Sequence, residues 1–314
     1  MRVLVTGAAG FIGSHLCDRL LAGGDFVVGV DNFHLGQRRN IAHLDGNANF
    51  HFVELDVLDA PALDSLFAAS RFDAVFHLAA NSDIAAGNGD ASLDLKLNQL
   101  TTTNVLAAMK AHGVSRLFFA STSAVFGEQA HALAENDGPL QPISFYGASK
   151  LAAEAFISTY AHTFGLRAVI LRFPNVVGER ATHGALFDFI GKLKANPAQL
   201  PVLGDGNQTK PYLYVADLLD AIALAFARAT GPLEVFHAAG EGATSVRQIA
   251  QTAVALFGKP DTKIVYGAGD RGWPGDVPRF SYDTAKLRAL GWVPKHDSDT
   301  AIRLTAERIL ANGF

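Results

Sequence analysis

The feature that most constrains this chain is the run Gly7-Ala-Ala-Gly-Phe-Ile-Gly, placed between a β-branched apolar stretch, Arg2–Thr6, and a helix-length segment, Phe11–Ala22. Glycines at 7, 10 and 13 permit a tight turn, let a ligand approach bare backbone, and allow a helix to pack closely on a strand. A helix opened by such a turn presents unpaired amides and the positive end of its dipole to an anion. A glycine triplet alone is equally a tight structural turn. Here the second apolar stretch, Phe26–Asp31, ends on an acid about 20 residues beyond the turn, where a carboxylate accepts from ribose hydroxyls. Together these features predict a dinucleotide site. Asp31 would repel a 2′-phosphate, which favours NAD over NADP; Arg38 and Arg39 are the nearby groups able to blunt that preference. Asp56, in Leu55-Asp-Val, is placed either to reach the adenine amino group or simply to cap a strand end.

The first half of the chain alternates short β-branched runs with helix-length segments. Residues 2–6, 26–31, 50–56, 74–79, 116–121 and 167–173 read as strands, and 11–22, 61–70, 92–112 and 146–164 as helices. Several strands are continuously apolar, as expected when both faces of a parallel sheet are covered. The pattern predicts an α/β fold with a doubly wound, Rossmann-type parallel sheet. After Phe173 glycine, proline and asparagine become frequent, and short strands mix with helices at 185–195, 217–229, 245–257 and 300–312. This predicts a dinucleotide-binding domain over 1–174 and mainly a smaller α/β substrate-binding lobe over 175–314, with 212–240 returning to the first.

Composition excludes more than it selects. With 26 Lys and Arg against 30 Asp and Glu, the net charge of -4 gives no strong pull toward nucleic acid or an anionic membrane. No apolar run reaches membrane-spanning length, and the N-terminus turns to glycine too soon for a secretory leader. The single cysteine, Cys17, has no internal partner, so the expectation is a soluble, cytoplasmic protein with that thiol buried in the first helix. The 11 histidines show neither HxH nor HExxH spacing, which predicts no metal site.

Chemistry is suggested by Ser144-Phe-Tyr-Gly-Ala-Ser-Lys. A helix beginning near Pro142 to Ser144 sets Tyr146 and Lys150 one turn apart on one face. An ammonium there, with the helix N-terminus, is expected to favour the phenolate, which can take a proton from an alcohol as hydride leaves the same carbon. Taken alone, a Tyr and a Lys at this spacing are more often an ordinary surface pair.

With the glycine turn at one end and Tyr146–Lys150 at the other, the chain resembles the extended short-chain dehydrogenase/reductase superfamily, and within it the nucleotide-sugar epimerases of the UDP-glucose 4-epimerase type. The likeness runs through His77-Leu-Ala-Ala, Ser121-Thr-Ser-Ala-Val-Phe-Gly, Arg172-Phe-Pro-Asn-Val-Val-Gly, Lys210-Pro-Tyr-Leu-Tyr-Val-Ala-Asp and Gly275-Asp-Val-Pro-Arg. It implies Tyr146 as acid/base, Lys150 as the group that lowers its pKa and holds the nicotinamide ribose, and Thr122 as the active-site hydroxyl. Around the cofactor it implies Phe11, Ile12, Asn32, Val57, Leu78 and Ala79 beside the glycines and acids already named. Ala80, Asn98, Ser121 and Phe173 complete that surface.

For the substrate, the resemblance implies Ser82, Ser123, Asn175, Lys210, Arg271 and Phe280, together with Thr122 and Tyr146. Lys210 stands where many relatives carry arginine. Trp273-Pro274 occupies the place of another phosphate-binding arginine, leaving Arg271 or Arg279 to substitute, and bulk at Phe280 disfavours a 2-acetamido group. In the dehydratases and decarboxylases of the superfamily an acidic residue follows the active-site Thr; here Ser123 and Ala124 follow it. The resemblance therefore implies 4-epimerisation of a nucleotide-diphosphate sugar, UDP-glucose/UDP-galactose above all, by a homodimer. A net NAD(P)-dependent reductase, dehydrogenase or dehydratase is the alternative, and a non-catalytic dinucleotide-binding protein a third.

Overall fold

The computed structural model describes residues 1–269, 277 and 279–312; Arg271 and the Trp273-to-Asp276 stretch lie outside the described residues. In chain order the strands are β1 (Arg2–Thr6), β2 (Phe26–Asp31), β3 (Phe50–Glu54), β4 (Ala74–His77), β5 (Arg116–Thr122), β6 (Arg167–Phe173), β7 (Asn175–Val177), β8 (Gln199–Val202), β9 (Thr209–Lys210), β10 (Tyr212–Tyr214), β11 (Leu233–His237), β12 (Thr244–Ser245) and β13 (Lys263–Tyr266). The α-helices are α1 (Phe11–Ala22), α2 (Ala60–Ala69), α3 (Ile84–Gly89), α4 (Ala91–Asp94), α5 (Thr101–Ala111), α6 (Phe145–Phe164), α7 (Ala185–Ala195), α8 (Val215–Arg228), α9 (Val246–Phe257), α10 (Ala285–Ala289) and α11 (Ser298–Asn312). Two compact units form: Met1–Gly127 with Gly138–Arg172 and Ile222–Phe236, and Glu128–Asp137 with Phe173–Ala221 and His237–Phe314.

The first unit is built on a seven-stranded sheet ordered β11-β6-β5-β4-β1-β2-β3. Parallel pairing joins β1 to β2 and β4, β2 to β3, and β4 to β5. Parallel neighbours need long crossovers, which α1, α2 and α6 supply. The order reverses between β1 and β4, which makes this the Rossmann arrangement with its topological switch point beside Thr6 and His77, partners in register. Strand β4 is wholly buried, and β1, β2 and β5 are buried after their first residues, because both sheet faces are covered. Edge strand β3 stays partly open. One face packs Leu4, Val28, Val75, Leu117 and Phe119 against Phe67, Met109 and Ile157.

The segment expected as one helix over 92–112 is divided. A π-helical turn, Leu95–Leu100, separates α4 from α5. Thr101, Thr102 and Thr103 donate their hydroxyls back to the carbonyls of Leu97, Asn98 and Gln99 at 2.7, 2.6 and 3.0 Å. Such back-bonding offers those carbonyls a second partner and loosens the regular ladder. Strands β3 and β4 also end two residues before their apolar pattern does, so Asp56 and Ala79 lie in the loops beyond them.

In the second unit β7 pairs parallel with β10, β8 with β13, and β9 antiparallel with β12. Trp292 Nε1 donates to the Asp217 carbonyl at 3.1 Å, and the Asp217 carboxylate meets His296 Nδ1 at 2.9 Å. No helix among the described residues is long and apolar enough to cross a membrane. Cys17 is buried in α1.

Candidate active site

At the carboxyl end of β1, Thr6 Oγ1 accepts from the amides of Leu78 and Ala79, both at 3.2 Å, and so ties the glycine turn to the loop after β4. Gly7 takes φ +72° with its Cα against the Ala79 backbone. A Cβ on Gly13 would stand 1.9 Å from the Gly7 carbonyl oxygen, so α1 lies on the turn at a distance only glycine allows. At Gly10 a Cβ would meet nothing within 4 Å except that same oxygen at 3.1 Å, so the start of α1 is open. No side chain caps α1 and no acid sits in its first turn, which leaves its amides for an anion; Phe11 and Ile12 there are half-buried.

Asp31 closes the other side. Its carboxylate is 8% exposed and accepts from Ala9 N at 3.0 Å and Phe33 N at 2.8 Å. Burial pushes its pKa up, while the amides of Phe33, Ala9 and Gly10 pull the other way. Asn32 Nδ2 donates to Asp56 Oδ2 at 3.2 Å, and Asp56 Oδ1 accepts from Leu58 N at 2.8 Å, which closes a turn in the loop beyond β3. Next to it Val57 is buried, its carbonyl bound by Asn104 at 3.0 Å. Arg38 is drawn to Asp45 at 2.7 Å on the surface. Open amides, a carboxylate at the second strand's end and the switch-point position fit a dinucleotide with a free ribose 2′-hydroxyl.

Helix α6 carries the second cluster. Ser144 caps it, its Oγ accepting from Gly147 N at 3.1 Å. A Cβ on Gly147 would lie 2.3 Å from the Ala124 carbonyl oxygen, so the first turn of α6 rests directly on the turn that follows β5. That contact sets the first turn of α6 beside the end of β5, where the Thr122 hydroxyl favours the ionised Tyr146 phenol; Thr122 Oγ1 accepts from Ala124 N at 3.1 Å. Lys150 is 3% exposed, donates to the Ala120 carbonyl at 3.0 Å and lies 4.8 Å over the Phe119 ring.

The charge balance differs from the sequence expectation. Burial pushes the Tyr146 phenol up to about 12, the Thr122 hydroxyl pulling it down and Asp94 adding to the rise. Burial also drives Lys150 down to about 8, opposed by Glu154 and Asp94. Desolvation disfavours both ions, and in the protein alone it outweighs the attraction of an ammonium one turn away.

Buried polar groups brace this cluster. Glu154, one turn beyond Lys150, takes Arg172 Nε at 3.0 Å and Nη2 at 2.6 Å, with both side chains about 5% exposed. Ser121, expected at the cofactor, gives its hydroxyl to Glu154 Oε1 at 2.5 Å. Asn98 Nδ2 donates to Ser149 Oγ at 2.9 Å and to Asp94 Oδ1 at 3.1 Å, and its Oδ1 accepts from Asn81 N at 2.7 Å. Ser149 in turn donates to the Tyr146 carbonyl at 2.8 Å. Sequence reasoning passed over Asp94, Ser149 and Glu154. The available signal was an acid on a small-residue helix face, four after Lys150 and four before Asn98.

The remaining candidates lie in both units. Ser82 is exposed, and Ser123 and Phe173 are half-buried, as are Leu78, Ala79 and Ala80. In the second unit Asn175 is exposed on β7, Lys210 lies on β9 opposite Thr244, and Phe280 stands edge-on to Tyr282 with centroids 5.9 Å apart. Among the described residues no group of three or more His, Cys, Asp or Glu could hold a metal ion.

Residues 3–239 match the model of the NAD dependent epimerase/dehydratase family. The UDP-glucose 4-epimerase of Mycolicibacterium smegmatis is 32% identical, with 98% of each chain covered. Among solved structures, the Thermus thermophilus UDP-glucose 4-epimerase in complex with NAD is 33% identical with a TM-score of 0.87, all of both chains aligning. A dTDP-glucose 4,6-dehydratase from Streptomyces venezuelae, also holding NAD, is 29% identical with a TM-score of 0.90, covering 99% of this chain and 98% of that one. NAD is therefore the cofactor of this chain. The match over residues 3–239, with a fold and sequence shared along nearly the full chain with these enzymes, places the protein in the NAD dependent epimerase/dehydratase family.

Proposed function

We propose that the protein is a nucleotide-sugar 4-epimerase acting most readily on UDP-glucose and UDP-galactose. The observation that carries this reading is Tyr146 at the start of α6, acted on by the Thr122 hydroxyl and one turn before buried Lys150, with Ser123 and Ala124 following Thr122 where an eliminating enzyme needs a carboxyl group. Thr122 orients the sugar 4-hydroxyl toward the Tyr146 oxygen. Tyr146 takes that proton and returns it after the sugar has turned its other face. Lys150 supplies positive charge and a donor at the ribose side. NAD, when bound, accepts and returns the C4 hydride, and its positive nicotinamide favours the phenolate. Asp31 holds the adenosine ribose, and Asn175 with Lys210 takes the diphosphate. Because no net redox occurs, one cofactor serves many turnovers. Exposed Leu95, Phe156 and Phe164 support the homodimer in this reading.

The test is conversion of UDP-galactose to UDP-glucose by purified protein with no NAD(H) consumed. Stoichiometric NADH accumulation, or a 4-keto-6-deoxy product, would replace the reading with a dehydrogenase or a dehydratase. Tyr146→Phe is expected to lower kcat by at least ~10²-fold, the scale of a lost general acid/base, with folding intact. An unaffected rate would remove Tyr146 from the chemistry.

A further inference from the structure

One buried charge has no part in the proposed reaction. Asp94 is 1% exposed at the junction of α4 with the π-helical turn, where an ionised carboxylate is costly unless balanced. Its Oδ1 accepts from Asn81 Nδ2 at 2.8 Å and Asn98 Nδ2 at 3.1 Å. Its Oδ2 has no partner and lies against Gly87, where a Cβ would come within 2.0 Å of it. Only neutral amides hold this carboxylate.

Burial raises the Asp94 pKa; the amides of Asn81 and Asn98 oppose that rise, and from α6 so does the charge of Lys150. Glu154 and Asp94 are the two carboxylates whose charge favours the Lys150 ammonium. Glu154 is already engaged by both nitrogens of the Arg172 fork and by Ser121, so its charge is largely neutralised where it stands. Asp94 has no such cation. It also has a mechanical link to the same helix, because Asn98 Nδ2 bridges Asp94 Oδ1 to Ser149 Oγ, and Ser149 holds the Tyr146 carbonyl.

We propose that Asp94 is the counter-ion of Lys150 and, through Asn98 and Ser149, the positioning residue of the Tyr146–Lys150 pair. The proposal deepens the epimerase reading and, as far as catalysis is concerned, rests on it. The other titratable groups facing this pair are Asp83 beside Asp94, Glu154 with Arg172, and His77, which burial keeps neutral. A fixed negative charge beside a coupled phenol and ammonium holds protons on both. Removing it lets the pair lose its first proton at lower pH, whichever group gives it up.

Asp94→Asn isolates the charge. Its amide oxygen keeps the donors from Asn81 and Asn98, and its nitrogen takes the place of the unpartnered Oδ2. In NAD-loaded protein labelled with ¹³C at lysine Cε, NMR titration should show Lys150 titrating well below the bulk of the lysines, identified by its loss in Lys150→Met. In Asp94→Asn that titration is expected to fall by about one unit. An unmoved titration overturns the proposal, and this readout needs no substrate, so it stands apart from any failure of the epimerase reading. If UDP-galactose is converted, the acidic limb of kcat/KM is expected to shift to lower pH by a similar amount; a uniform loss of kcat with an unmoved limb indicates a merely structural carboxylate and also overturns it. Should Asp94→Asn not fold, Asp94→Asn/Lys150→Met removes both charges and is expected to fold; a double variant as unstable as the single one again overturns it.

Discussion

His77 ends β4 with 1% of its surface exposed, between Thr6 and Thr102. Thr6 Oγ1 already accepts from two amides, so its proton goes to His77 Nδ1 at 2.7 Å. Thr102 gives its hydroxyl to the Asn98 carbonyl at 2.6 Å, so it accepts from His77 Nε2 at 3.1 Å. Those partners assign the neutral imidazole with its proton on Nε2. A second proton would have no acceptor. Burial, with the charge of Lys150 behind it, pushes the pKa from 6.5 to about 3. The unfolded chain therefore takes the proton first. The stability His77 contributes is complete above the unfolded value of 6.5 and is lost as pH falls toward about 3. The slope is at most about 1.4 kcal/mol per pH unit, or about 2 kcal/mol between neutrality and pH 5. His77→Gln removes this titration while keeping a polar side chain between the threonines. The assay is urea denaturation of both proteins across that range, where ionisations common to both cancel. The variant is expected to be the less stable at neutrality, and the gap to narrow by about 2 kcal/mol at the lower pH. A gap that stays constant would show that His77 takes up no proton on unfolding and would refute the assigned tautomer and burial.

Three further outcomes are expected. Arg172→Leu strands the buried Glu154 carboxylate and should destabilise the protein by about 3–5 kcal/mol in denaturant unfolding, whereas Arg172→Leu/Glu154→Leu should recover most of it; a double variant no better than the single would mean the pair is not balancing charge. Gly13→Ala forces a Cβ to within 1.9 Å of the Gly7 carbonyl oxygen, so calorimetric NAD affinity should fall by at least about tenfold through strain in the turn, and an unchanged Kd would contradict the close packing of α1. Phe280→Ala is expected to raise use of UDP-N-acetylhexosamines relative to UDP-hexoses in competition assays; unaltered selectivity would detach Phe280 from the sugar.

Local signals made much of this molecule legible before any coordinates. The apolar runs of β1, β2 and β6 and the helices α1 and α7 begin and end where composition and turn residues say, because each boundary depends on neighbours in the chain. The glycine turn with Asp31 was readable for the same reason: a tight turn and a strand-end acid are properties of one βαβ segment. The spacing of Tyr146 and Lys150 needed only the helix repeat.

What sequence could not disclose depends on groups far apart in the chain. Tyr146 and Lys150 looked like a phenol lowered by an ammonium, yet the packing that surrounds them pushes each toward its neutral form, and burial is a sum over many segments. The partner of the Ser121 hydroxyl was equally hidden: Glu154, a turn beyond Lys150, takes it. Asp94, passed over in the sequence, meets Asn81 and Asn98 beside the π-helical turn. The chain's own order of residues was enough for six of the seven sheet strands, the glycine turn and the helical spacing of Tyr146 and Lys150. The protonation of that pair and the buried charges around it were decided only by folding, because desolvation and shared hydrogen bonds exist only once distant segments occupy the same space.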